Sequence, residues 1–71
     1  MNDYKRRWYF ENGYGASVIR NTASIGYDQG LYELAVLQND RIYYESPITD
    51  DVIGHLTPRQ VAVLLKQIKE L

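Results

Sequence analysis

The segment 57–71 carries the strongest helical signal in the chain, and it limits what the rest can form. Thr57 and Gln60 form the Thr-x-x-Gln pattern of a capping box, with Pro58 at the first helical position. Apolar residues then recur at helical spacing along one stripe: Val61, Leu64, Leu65, Ile68 and Leu71. One amphipathic helix can cover one face of a sheet, so the preceding residues are expected to supply that sheet.

Four stretches before the helix have the alternation and composition of β-strands: 4–11, 14–20, 31–38 and 41–46. The pair Asn12-Gly13 indicates the turn of a first hairpin, and residues 39–40 close a second. We therefore predict an α+β fold of order ββββα. It consists of a four-stranded, mainly antiparallel sheet of two β-hairpins, with the C-terminal helix packed on one face. All 71 residues are assigned to a single small domain.

The second hairpin has two alternative registers. A two-residue loop places Val36 opposite Tyr43, whereas a three-residue loop places Val36 opposite Tyr44. The three-residue loop is preferred because it collects more apolar side chains on one face, namely Leu34, Val36, Ile42 and Tyr44.

Two connections complete the predicted architecture. Residues 21–30 contain two glycines and form the longest connection. Pro47 ends the sheet, and segment 48–54 is predicted to make a single helical turn that stops at Gly54.

The composition of the chain limits the kinds of site and partner that it can have. The chain has no cysteine, which excludes disulfides and thiolate metal sites, and its net charge of −1 neither favours nucleic-acid binding nor marks an acidic mimic of nucleic acid. No apolar run approaches the roughly 18 residues of a membrane span. We expect a soluble protein of the cytoplasm, without a membrane partner.

Asp50 and Asp51, close to His55, form the cluster that most resembles a metal or acid–base site. Too few further ligands are near in sequence, and an aspartate that caps the short turn explains the pair. The chain has one histidine and no Gly-x-Ser-x-Gly motif. We therefore predict no enzymatic activity, no catalytic residue, no metal ligand and no cofactor.

The stretch KRRWYF, residues 5–10, places three basic residues before three aromatic ones. It is interpreted first as an edge strand that enters the core and carries protective charges. The alternative is a surface that stacks single-stranded bases and neutralises phosphates.

A second sheet face without a helix would expose tyrosines and aliphatic residues, as interaction surfaces do. Aromatic residues and arginine carry most of the binding energy at protein interfaces. The candidate partner-binding residues are therefore Arg6, Arg7, Tyr9, Tyr32 and Tyr43.

Three segments resemble a family of small proteins encoded by tailed bacteriophages: NGYGASVI, GLYELAVL and PITDDVIGHLT. The resemblance covers residues 9–71. It implies a setting, the cytoplasm of an infected bacterium, and it brings no activity and no functional residues.

Three functions follow as hypotheses. The leading one is a non-enzymatic protein-binding module, a phage accessory protein that binds and modulates or inhibits a bacterial host factor, such as a defence system, or that forms a homodimer. The second is a single-stranded nucleic-acid binder that uses Arg6, Arg7, Trp8 and Tyr9. The third is sequestration of a small nucleotide at a homo-oligomer interface.

Overall fold

A five-stranded antiparallel sheet with one helix on one face forms the architecture, which confirms the predicted α+β class. The structure is a computed structural model that describes residues 3–49 and 51–71. The strands are β1 (Tyr4–Tyr9), β2 (Tyr14–Arg20), β3 (Tyr32–Gln38), β4 (Arg41–Ile42) and β5 (Ile53–Leu56). A short 3-10 helix spans Tyr27–Gln29, and the C-terminal helix α1 spans Pro58–Lys69.

The sheet order is β1-β2-β3, and both β4 and β5 pair with the outer edge of β3. Helix α1 lies over β2, β3 and β5. The core between sheet and helix consists of Ala16, Val18, Leu34, Val36, Leu56, Val61 and Ile68. In the described part of the chain, no helix has the length and apolar character needed to cross a membrane.

The predicted capping box at the start of α1 is confirmed. The Gln60 amide N–H donates to the Thr57 hydroxyl at 3.2 Å, and the Thr57 N–H donates to the Gln60 side-chain oxygen at 2.8 Å. These two bonds satisfy backbone donors that a helix N-terminus leaves without partners. They fix where α1 begins and therefore how it crosses the sheet.

The first hairpin is confirmed, and its loop has three residues. The Phe10 N–H donates to the Tyr14 carbonyl at 2.8 Å, and the Gly13 N–H donates to the Phe10 carbonyl at 3.2 Å. Gly13 has a φ of 89°, the left-handed conformation that this loop requires at its last position. Asn12 precedes Gly13, and its side chain bonds to the end of helix α1.

Asn12 in fact terminates helix α1. Its side-chain Nδ2 lies 2.9 Å from the Ile68 carbonyl oxygen, 3.1 Å from that of Lys69 and 3.2 Å from that of Leu71. Its Oδ1 accepts from the Tyr14 N–H at 3.0 Å. One side chain thus joins the first hairpin to carbonyls at the end of α1, of which that of Ile68 also accepts from the Leu71 N–H at 3.2 Å.

The preferred register of the second hairpin is wrong. Residues Asn39 and Asp40 form a two-residue turn with φ of 54° and 63°, and β4 pairs Ile42 with Leu37. Both residues of such a turn need positive φ, because its twist then matches that of the strands. Turn geometry therefore outweighs apolar segregation here, and Ile42 remains 43 % exposed.

Two further predictions near the second hairpin are corrected. The strand predicted over 41–46 ends at Ile42, and strand β5 replaces the helical turn predicted over 48–54. The outer edge of β3 offers unpaired backbone groups at Tyr32 and Leu34, and pairing with β5 satisfies them. Asp50, assigned to that turn, lies outside the described residues.

Candidate functional site

The basic and aromatic residues of β1 divide between the two faces of the sheet. Side chains alternate along a strand, so Arg6 and Trp8 face the helix side, whereas Arg7 and Tyr9 face the opposite side. The four residues of the nucleic-acid hypothesis therefore do not share one surface.

Tyr32 and Tyr43 both lie on the helix side, where they pack against the core. Tyr32 makes an edge-on contact with Tyr4, with ring centroids 5.3 Å apart, and Tyr43 packs against Tyr14 at 5.8 Å. The tyrosine-rich free face expected from the sequence is thus not what these two residues form.

On the opposite face, Arg7 and Tyr9 converge on Asp40 in the second hairpin turn. The Arg7 guanidinium and the Tyr9 hydroxyl each donate to the same Asp40 carboxylate oxygen at 2.8 Å. The Tyr9 hydroxyl, and then the Asp40 carboxylate, raise the pKa of Arg7 above its ordinary value. On this face Ala35 and Leu37 of β3 are buried, at 6 % and 1 % exposed, so these two apolar side chains are not offered to a partner.

The candidate site is an apolar groove between β1 and α1. Because α1 lies over the inner strands, the aromatic side chains of β1 are left beside the helix rather than beneath it. The groove has a volume of about 210 Å³. It is lined by Tyr4, Trp8, Val18, Tyr32, Pro58, Val61, Ala62 and Leu65.

Two arginines stack on the aromatic walls of this groove. The Arg6 guanidinium carbon lies 4.7 Å from the centre of the Trp8 ring, and that of Arg20 lies 4.8 Å from the centre of the Tyr32 ring. Arg20 also donates to the Tyr32 hydroxyl at 3.0 Å. Cation–π contacts of this kind hold the rings in place and put positive charge at the border of an apolar groove.

Strand β1 is an edge strand, and its outer backbone groups face the same groove border. The bond from Phe10 to Tyr14 fixes the hydrogen-bonding phase of the ladder, in which Tyr4, Arg6 and Trp8 point their backbone groups towards β2. The backbone N–H and C=O groups of the intervening residues, Lys5, Arg7 and Tyr9, therefore point outwards.

A second apolar groove lies on the other flank of α1. Its volume is about 400 Å³, and it is lined by Ile53, Leu56, Arg59, Gln60, Val63, Leu64 and Gln67. Val63 there is 52 % exposed. This groove borders β5, which pairs with β3 through two residue pairs with a register shift between them, so the strand beside this groove is shorter and less regular than β1.

Among the described residues, His55 is not part of a cluster that could bind a metal ion. It lines a polar recess with residues 22–29, and its backbone lies against Gly26. Within residues 3–49 and 51–71, no group of His, Asp and Glu side chains is arranged to hold a metal ion. Asp51 instead accepts from the Val52 N–H at 2.8 Å, so its carboxylate serves a local turn.

Sequence reasoning missed most of the groove, although a signal was present. Tyr4 and Trp8 share one face of β1, and Ala62 is a small residue on the flank of α1. A small side chain beside aromatic residues predicts a depression only once the position of the helix is known.

A comparison with protein-family profiles, curated protein sequences and solved structures found no match to this chain.

Proposed function

We propose that this chain is a small, non-enzymatic protein-binding module that binds its partner in the groove between β1 and α1. The observation that supports this most is the position of the groove beside an open strand edge. Tyr4 and Trp8 border the groove from β1, which in the described part of the chain is the longest strand that is paired on one side only. Apolar surface, aromatic anchors and arginines at the border are the composition of a binding hot spot.

The resemblance to small proteins of tailed bacteriophages supports a partner in the infected bacterium. In this proposal the module binds a host protein, such as a component of a defence system, and modulates or inhibits it. Binding by a groove needs neither a cofactor nor a catalytic group.

Nucleic-acid binding is less well supported by the geometry. Arg6 and Trp8 are engaged with each other on one face, and Arg7 and Tyr9 are bonded to Asp40 on the other. A strand of bases would contact one of these pairs at a time. The experiment below nevertheless separates the two functions.

The test is a pull-down of the tagged protein from bacterial lysate, with and without nuclease, using two matched helix variants. Ala62→Glu places a charge in the proposed groove, and Val63→Glu places the same charge in the second groove. Both positions are exposed on α1, so both variants are expected to fold, which circular dichroism checks. We expect a host protein to be retained by the parent chain and by Val63→Glu, and lost from Ala62→Glu.

The other outcomes contradict this assignment. Loss of the host protein from Val63→Glu alone would move the site to the second groove. Recovery that collapses with nuclease would favour nucleic acid. A partner retained equally by both variants would show that neither groove binds it.

A further inference from the structure

We propose that the partner supplies an extended acidic segment, which adds to β1 as a new strand and inserts one large apolar side chain into the groove. This inference rests on the proposed protein-binding function and specifies the ligand of the same site. Addition of a peptide to a sheet edge takes its affinity from backbone hydrogen bonds and its specificity from pockets for alternate side chains. Both components are present along β1.

The backbone component is the outer edge of β1. The strand has six residues, and three of them, Lys5, Arg7 and Tyr9, present outward N–H and C=O groups. Strand β1 is regular over its whole length in its pairing with β2, with no register shift. An incoming strand can therefore form an uninterrupted ladder.

The pocket component follows from the alternation of side chains. A residue of the added strand placed opposite Arg6 points to the helix side, between Tyr4 and Trp8. The groove volume of about 210 Å³ exceeds the roughly 150 Å³ of a protein cavity that accommodates benzene. One leucine, methionine or phenylalanine side chain fits there.

The charge component defines the neighbours of that side chain. Residues opposite Lys5 and Arg7 would point to the other face, beside two cations. In the described residues the single ion pair joins Arg7 to Asp40, so Lys5 is the cation of that face without a carboxylate partner, and Arg7 shares its charge with Asp40. Opposite charges across a strand pair are stabilising, which favours an acidic, apolar, acidic alternation in the ligand.

The same charges argue against a second copy of this chain as the occupant. Antiparallel pairing of two β1 strands centred on Arg6 would place Lys5 of each copy opposite Arg7 of the other, and centring on Arg7 would still place Arg7 opposite itself. Like charges directly opposite each other destabilise a strand pair. Edge charges that prevent self-association thus still admit an acidic strand.

The first experiment uses two capped peptides in which leucine, with one central phenylalanine, alternates with either glutamate or lysine. Trp8 is the only tryptophan of the chain and lines the groove, so its fluorescence reports binding. We expect the glutamate peptide to bind about tenfold more tightly than the lysine peptide, or better. Hydrogen exchange at the amides of Lys5, Arg7 and Tyr9 should slow when the glutamate peptide is bound.

The second experiment separates backbone pairing from charge. Lys5→Pro removes an outward N–H and leaves the ladder with β2 intact, whereas Lys5→Ala removes the charge alone. We expect Lys5→Ala to weaken peptide binding severalfold and Lys5→Pro to abolish it. A glutamate peptide with N-methyl groups on alternate amides, made in both phases, tests the same point on the unaltered protein. One phase should bind and the other should not.

In the peptide experiments, four results overturn the inference: equal affinity for the two peptides, no binding at millimolar peptide, equal binding by both N-methylated phases, and peptide binding by Lys5→Pro that matches Lys5→Ala. A failure of strand addition can be distinguished from a failure of the proposed binding function. A host protein that Ala62→Glu loses but Lys5→Pro retains preserves the binding function and overturns strand addition. A dimer of the parent chain in sedimentation that Lys5→Pro dissociates assigns the edge to self-association and also overturns it.

Discussion

The two edges of the sheet are built in opposite ways. On one side, β1 runs regularly for six residues and leaves its outer backbone groups open. On the other, β3 is covered by two short strands, β4 at one end and the irregular β5 at the other. Short and irregular edge strands prevent unwanted pairing through their shape, whereas β1 relies on the charges of Lys5, Arg6 and Arg7.

The two edges also differ in backbone conformation. In the described part of the chain, three non-glycine residues have positive φ, namely Asn39, Asp40 and His55, and all three belong to the elements that close the β3 edge. Such conformations cost free energy unless the surrounding structure supports them. We therefore expect the structure of the β3 edge, which β4 and β5 cover, to depend on specific contacts. The protection of the β1 edge by charged side chains should depend on very few.

The largest effect is expected where the closed edge attaches to the core. Leu34 is fully buried on β3 and pairs with β5. Leu34→Ala should lower the free energy of unfolding by about 2–5 kcal/mol, because it leaves a cavity. Urea denaturation measures this, with Ile42→Ala on exposed β4 as the control, expected to change stability by about 0.5 kcal/mol or less. Similar losses in both variants would contradict the assignment of the core.

Gly54 tests how β5 is seated. A Cβ at this position would overlap the side chain of Ile25, so Gly54→Ala is expected to cost about 1–3 kcal/mol of stability. Ile25 is 43 % exposed, and Ile25→Ala removes the Cγ2 that lies nearest to the added methyl group while keeping Cβ, so it should relieve part of the overlap. In a double-mutant cycle by thermal or urea unfolding, the pair should be more stable than Gly54→Ala alone. Strict additivity would show that the two residues do not meet.

Asn12 is expected to contribute less, near the open edge. Asn12→Ala removes the donor at the end of α1 and should cost about 1 kcal/mol. Asn12→Asp keeps the acceptor for the Tyr14 N–H but turns a negative charge towards helix carbonyls. It should therefore destabilise the protein at least as much as the alanine variant at neutral pH. Hydrogen exchange in the last turn of α1 should accelerate in both.

The smallest effect is expected at the contact that bridges the two edges, between Arg7 and Asp40. The Arg7 and Asp40 side chains are 41 % and 66 % exposed, and exposed ion pairs contribute little. Asparagine tolerates positive φ, so Asp40→Asn should change the free energy of unfolding least of the variants described here. The difference from the parent should shrink further in high salt. A larger, salt-independent loss would show that Asp40 supports the turn by other means.

The sequence sufficed for the elements whose signals are local. The capping box at Thr57 predicted where α1 begins, and the alternation of the strands predicted the antiparallel sheet. The register predicted for the second hairpin was wrong because Asn39 and Asp40 both adopt positive φ. An Asn-Asp pair indicates such a turn less strongly than an Asn-Gly pair does. Strand β5 was missed because its pairing depends on the vacancy at the far edge of β3, which no local pattern around residue 53 reveals.

The five predicted contact residues divide between the two faces for a related reason. Tyr32 lines the groove, Arg6 stacks at its border and Tyr43 packs against Tyr14 on the same side, whereas Arg7 and Tyr9 occupy the opposite face. The face of each residue follows from strand parity, but which parity the helix covers is decided by packing. Whether these residues contact a partner stays a prediction.

The cap formed by Asn12 has a consequence for how the protein folds. It joins residues 56 positions apart, so its bonds form only after most of the chain has been brought together. Until α1 docks, the first hairpin presents Trp8 and its neighbours on an uncovered apolar face. We therefore expect Asn12→Ala to accelerate unfolding while leaving the refolding rate nearly unchanged, the behaviour of a contact made after the transition state.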